Sequence, residues 1–168
     1  MKHLLDNPVW EALATEDARL NCGTDVVKYF AEDVSPFVGM KHWDDLAMLE
    51  KELPVDRNFS VMIANQVRIP ACFEIVFTTP LYQMVCTSFH PIFNSSLIMR
   101  SLVKEDVPAM LALTSLTKPG PFSQRTIDFG HYIGIVEGNN LLAMAGERLH
   151  IKGYTEVSAV CTDPAQLG

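Results

Sequence analysis

The sequence predicts a mixed α/β (α+β) fold in two parts, a smaller helix-then-strand module followed by a mainly antiparallel sheet with flanking helices. Three observations carry this. Apolar residues recur at helical spacing in the first third of the chain, as in Trp43, Leu46, Leu49 and Leu53. Extended apolar runs bounded by prolines follow. From Ile98 a strand, a helix and three closely spaced strands succeed one another.

The elements are read in order. Asn7-Pro8 opens a helix, with Asn as cap and Pro at the first helical position; Val9, Trp10, Leu13 and Leu20 share its buried side and Cys22-Gly23 ends it. Asp25 to Glu32 is a second amphipathic run, stopped by Ser35-Pro36. The Trp43–Leu53 helix follows and ends at Pro54. Phe59–Ala64, Cys72–Phe77 and Leu81–Cys86 read as strands, punctuated by Pro70 and Pro80. His90 to Ser96 is a linker, which sets the expected division at residues 1–96 and 97–168. In the second part Ile98–Val103 is a strand, Glu105–Leu116 a helix with Pro108 in its first turn, and Lys118-Pro119-Gly120-Pro121 a rigid loop. His131–Glu137 and Leu141–His150 form a hairpin about Gly138-Asn139-Asn140. Gly153 turns the chain into Thr155–Cys161, which Asp163-Pro164 closes. No helix covers that last apolar strand, so the pattern reads as a domain incomplete at its C-terminus.

The chain has 168 residues, 48% of them hydrophobic, enough to bury a core without disulfides or metal. Its 13 Lys+Arg against 20 Asp+Glu give a formal charge of -7. That balance argues against non-specific nucleic-acid binding and against an anionic membrane surface. No membrane span or signal peptide is legible, and the expected compartment is cytoplasmic. Cys22, Cys72, Cys86 and Cys161 lack metal-ligand spacing and are read as reduced thiols packed among apolar neighbours.

Phosphate-loop, nucleophile-elbow and zinc motifs are absent. His3, His42, His90, His131 and His150 show no ligand spacing and are read as surface or packing residues, with His150 at the end of a strand as a possible pocket edge. Two carboxylates stand out because ionised groups are costly in buried strands unless paired or functional: Glu147 and Glu156. Either is a general-base candidate near apolar walls, or simply a partner for Arg148 or Lys152 across the strands, or a solvent-facing charge.

Thr117-Lys118-Pro119-Gly120-Pro121-Phe122, Ala143-Met144-Ala145-Gly146-Glu147-Arg148 and the run Thr155 to Pro164 closely resemble the GNAT superfamily of acyl-CoA-dependent N-acetyltransferases. The subgroup resembled is the one similar to the C-terminal part of glycine N-acyltransferase. Leu5 to Leu13 and Leu81-Tyr82-Gln83-Met84 are similar to it as well, so the resemblance spans most of the chain. It implies a GNAT-like fold in which residues 97–168 form the N-terminal half of the acetyltransferase domain. It also implies transfer of an acyl group, acetyl above all, from acetyl-CoA to a primary amine by direct attack, with no metal. Carried over by position, Val160, Cys161 and Thr162 would offer a free strand edge to the pantetheine arm, and N–H groups near Val160 and Cys161 would polarise the thioester.

Leu167 and Gly168 would begin the loop whose N–H groups cradle the pyrophosphate. Leu167 stands where the family has Gln or Arg, and the later small residues of that loop are missing. Each missing phosphate contact is worth roughly 1.5–3 kcal/mol. Glu156 is the first base candidate by this resemblance and Glu147 the second. The acceptor, a small molecule or a peptide amine, is not encoded legibly. The alternative is a truncated, inactive remnant acting as a binding or association module, with homodimerisation through the exposed last strand as a route to closing the fold.

Overall fold

Two sheets organise the chain, in a computed structural model that describes residues 3–44, 46–64, 67–91 and 98–167. In the first, β1 (Val27–Tyr29) runs antiparallel to β2 (Phe37–Met40), and β2 parallel to β3 (Ser60–Val61). The second is antiparallel throughout, in the order β4 (Met99–Ser101), β5 (Tyr132–Glu137), β6 (Asn140–Ile151), β7 (Tyr154–Thr162). Among the described residues three α-helices accompany them: α1 (Pro8–Ala14), α2 (Ala47–Glu52) and α3 (Val107–Thr117).

Packing ties the early residues to the larger sheet. One buried cluster joins Val9, Ala12 and Leu13 of α1 with Phe30, Val34 and Phe37, and also with Phe129, Leu149 and Ile151 from far along the chain. Phe30 and Phe129 meet with ring centroids 5.0 Å apart. Polar bonds reinforce the seam: Thr126 Oγ1 donates to the Val34 carbonyl at 2.7 Å, and Arg19 to that of Asp128 at 2.6 Å. A second cluster packs Met110 and Leu113 of α3 on Tyr132, Leu141, Met144 and Cys161 of the sheet. Gly146 is required there, because a Cβ at that position would meet the Tyr132 ring.

The β5–β6–β7 arrangement and α3 follow the sequence reading closely. The hairpin turn has Gly138 at φ 57°, a conformation that favours glycine. Elsewhere the structure departs from expectation. The first helix ends at Ala14 rather than at Cys22: Thr15 adopts φ -130°, ψ -100°, and its hydroxyl bonds back to the Glu11 carbonyl at 2.6 Å. Asn7 makes no side-chain cap; instead its amide donates to the Met40 carbonyl at 2.7 Å, tying α1 to β2.

The run Asp25–Glu32 is not helical. β1 occupies it, because Val27 and Tyr29 pair with Met40 and Val38. Phe59–Ala64 holds only the two-residue β3. Cys72–Phe77 and Leu81–Cys86 form no strands. That stretch is exposed, including Phe77 and Tyr82, and has no ladder partner among the described residues, so its apolar β-formers have nothing to pair with. Cys161 is buried as expected, whereas Cys22, Cys72 and Cys86 are exposed. The linker at 92–97 lies outside the described residues. No helix among the described residues is long and apolar enough to cross a membrane.

Candidate active site

Among the described residues β7 pairs with β6 on one side only and forms the edge of its sheet. The Asp163 N–H donates to the Leu142 carbonyl at 2.7 Å. By the alternation of an antiparallel ladder, the neighbouring N–H and C=O of Thr162 then point away from β6, onto the free edge. One turn of register earlier the strand is distorted. Gly146 pairs with Ser158 and Met144 with Cys161, so β7 carries one residue more than β6 over that interval. The extra residue is accommodated by Ala159, which adopts φ 52°, a left-handed conformation uncommon for a non-glycine residue. Such strain costs about 1–3 kcal/mol and persists where surrounding packing enforces it; Ala159 is 8% exposed, inside the α3 cluster.

Of the residues singled out from sequence, Val160 lies beside this bulge with its side chain exposed. Cys161 is buried against α3, and burial pushes its thiol pKa up, with a Thr117 hydrogen bond opposing. A raised thiol is a poor nucleophile. Thr162 ends β7, and Leu167 is exposed just past the 3₁₀ turn Pro164–Gln166. Gly168 lies outside the described residues. In that turn the Asp163 carboxylate accepts from the Ala165 N–H at 2.9 Å.

The two carboxylates have different surroundings. Glu156 accepts from both Nε (3.0 Å) and Nη2 of Arg148 on the adjacent strand. Arg148 is itself stacked over Phe37, its guanidinium carbon 4.6 Å from the ring centroid. The cross-strand pairing expected as the alternative for Glu156 is thus present. Glu147 belongs to a longer chain of contacts. Its Oε2 lies 2.9 Å from His131 Nδ1 and 3.0 Å from His150 Nε2. The other nitrogen of His150 lies 2.9 Å from Oδ1 of Asp17, whose Oδ2 accepts the His150 backbone N–H, also at 2.9 Å. A second bulge brings Glu147 and His150 together: between the pairs Glu147–Val157 and His150–Thr155, β6 carries one residue more than β7.

Electrostatics follow from these contacts. The His150 hydrogen bond holds Glu147 below the usual carboxylate range, against partial burial and with help from His131. Burial pulls His150 down, but Glu147 and Asp17, one on each ring nitrogen, outweigh it and leave its pKa raised. Asp17, with 2% of its side chain exposed, is raised by desolvation, which His150 and Arg19 only partly offset. Beside the Arg148–Glu156 pair, burial pushes Tyr132 up to about 12, and its buried hydroxyl has no hydrogen-bond partner among the described residues. Among the described residues no cluster of side chains is arranged to hold a metal ion.

Sequence reasoning missed Asp17, read His131 only as a surface or packing residue, and placed His150 at a pocket edge without its partners. An isolated Asp in a turn carries no signal, and 147 and 150 are out of phase on an ideal strand. Only the bulge makes them neighbours.

No family model and no curated protein matches the sequence. A solved structure does: that of a protein from Novosphingobium aromaticivorans DSM 12444 assigned to the GNAT family as an acetyltransferase, determined at 1.80 Å. It is 29% identical, superposes with a TM-score of 0.88, and the match covers 99% of this chain and 75% of that one. The mixed, mainly antiparallel architecture described above is therefore that of a GNAT acetyltransferase fold, and acyl transfer is the general chemistry that the likeness supports.

Proposed function

We propose that this chain takes part in transfer of an acyl group, acetyl in the first instance, from acyl-CoA to a primary amine. The observation that carries the reading is the bulged, open edge of β7, with Ala159 at φ 52° and Thr162 facing outward, within a fold shared with a GNAT-family protein. An unpaired strand edge suits an amide-containing arm, which adds to it as a strand would. The edge at Val160, Cys161 and Thr162 would hold the pantetheine arm. Backbone N–H groups beside the bulge, Val160 the first of them, would polarise the thioester carbonyl. Acyl-CoA itself supplies an activated acyl group and a thiolate leaving group.

The remaining work is to remove a proton from the attacking amine. Of the two candidates, Glu147 suits this better than Glu156. Both oxygens of Glu156 are engaged by Arg148. Glu147 uses Oε2 for both histidines, and its Oε1 makes no hydrogen bond among the described residues. Oε1 accepts the proton that the amine sheds as the C–N bond forms and the C–S bond breaks. An amine gaining positive charge in the transition state is also stabilised by the carboxylate's negative charge.

The test is calorimetric titration of acetyl-CoA into the chain and into Thr162→Pro. Proline removes the outward N–H without breaking the β6 ladder. Binding by the parent and at least about a tenfold loss (~1.4 kcal/mol) in the variant is expected. No binding by a folded parent chain, or equal binding by both, would sink the assignment of this edge.

A further inference from the structure

Asp17 is an unusual residue for its position. It sits in the turn after α1, 133 residues from His150, yet its carboxylate is 2% exposed and both its oxygens are spent on His150. Removing a carboxylate from water costs several kcal/mol, and a buried ion pair is often no more stabilising than a well-packed apolar pair of similar volume. The seam between α1 and β6 already has an apolar cluster of Val9, Leu13, Leu149 and Ile151 to hold it. Cohesion therefore does not explain the charge. Its geometry does: with Asp17 on Nδ1, the only ring atom left to His150 for Glu147 is Nε2, and that is the atom found there, at 3.0 Å.

We propose that Asp17 is a positioning residue of the acyl-transfer site, fixing His150 with its Nδ1–H toward the N-terminal residues so that Nε2 holds a proton against Glu147, with His131 as the exit to solvent. This rests on the reading of Glu147 as the proton acceptor. Oε2 of Glu147 is bridged by two imidazoles, and its Oε1 is left for the amine. The proton taken by Oε1 leaves by way of His131: the carboxyl turns to present its protonated oxygen to His131 Nδ1, the imidazolium so formed releases its Nε2 proton to water, and exchange with solvent at this side chain, 89% exposed, restores the Nε2–H tautomer. No electron changes hands and no co-reactant is needed. The raised pKa of His150 agrees with a ring that keeps both protons between two carboxylates. The groups facing it are Asp17 from the turn, Glu147 from its own strand and His131 beyond Glu147, with Arg19 acting on Asp17.

The experiment is a nitrogen-15 NMR titration of the histidine rings in the full chain, the Asp17→Asn variant and the Glu147→Gln variant. The parent should show His150 protonated on Nδ1, with Nε2 losing its proton only above the ordinary histidine range. Asp17→Asn should move that titration to lower pH, and Glu147→Gln should do the same with the Asp17 contact intact, which covers the case in which Asp17→Asn does not fold. In parallel, thiol release from acetyl-CoA with benzylamine as acceptor is followed against pH. Asp17→Asn should lower kcat about tenfold and shift the acid limb of the profile, with KM for acetyl-CoA unchanged. A His150 that carries its proton on Nε2 alone, or whose titration ignores both variants, overturns the proposal even if the chain is active. A linked titration in a chain that neither binds acetyl-CoA nor releases thiol from it would retain the Asp17–His150 unit and remove the acyl-transfer reading instead.

Discussion

Asp17 and His150 are joined twice, through the imidazole Nδ1 and through the backbone N–H, each at 2.9 Å. Two bonds fix both the ring and the strand segment that carries it. The N-terminal residues are thereby tied into the same hydrogen-bonded cluster as β6, although the expected division of the chain separates them.

Stability should depend on pH through this unit. The folded pKa of His150 is above its unfolded value near 6.5, so its contribution is fully present below that value and fades as pH rises through the folded one. Asp17 acts in the same direction at lower pH: its folded value lies above 3.8, and folding weakens as pH rises through it. Glu147 has the opposite sign. Its folded value lies below 4.5, so its contribution is lost as pH falls through that lower value. Thermal melts should show a decline in Tm above pH 6.5 that is absent in His150→Gln. A Tm that is flat or rising there would contradict the pairing.

The two carboxylates should separate by function. Glu147→Gln should reduce amine acetylation by about 10²-fold, in the range of lost general-base catalysis. Glu156→Gln should act mainly on stability, by about 1 kcal/mol, because it exchanges a charge-assisted pair with Arg148 for a neutral one. Steady-state rates and urea midpoints on the two variants decide this. A larger rate loss in Glu156→Gln would reverse the assignment.

At Ala159 the left-handed backbone sets the order of substitutions. Glycine relieves strain worth about 1–2 kcal/mol and loses a buried methyl worth about 0.8 kcal/mol, so Ala159→Gly should lie within about 1 kcal/mol of the parent. Ala159→Val should cost more than about 2 kcal/mol, because a β-branched residue fits that conformation poorly. Urea unfolding gives both values, and equal stability of valine and alanine there would deny the bulge.

Aromatic residues should divide sharply by burial. Phe30, fully buried against Phe129, should cost about 3–5 kcal/mol on truncation to alanine. Tyr82, 90% exposed in the unpaired stretch, should cost under about 0.5 kcal/mol. A large loss for Tyr82→Ala would mean that the stretch is packed against something in solution.

The sequence by itself determined the elements whose evidence is local. The hairpin about Gly138, the strand before Asp163-Pro164 and the helix after Pro108 are specified by turn residues and apolar spacing within a dozen positions, and they stand where the pattern puts them. Glu147 and Glu156 were legible as charges in strands. Their partners were not: Arg148 opposite Glu156 follows from the register of β6 on β7, and His150 beside Glu147 from a bulge that the period of two does not contain. Tertiary structure also decided the fate of Val27 and Cys72–Phe77, both with strand-like or amphipathic patterns. Val27 found a partner strand in β2, whereas Cys72–Phe77 has none among the described residues. Asp17 shows the limit most clearly, since nothing near it in sequence distinguishes it from any turn aspartate. Its burial and its two bonds exist only because α1 packs against β6, and that contact is a property of the folded chain.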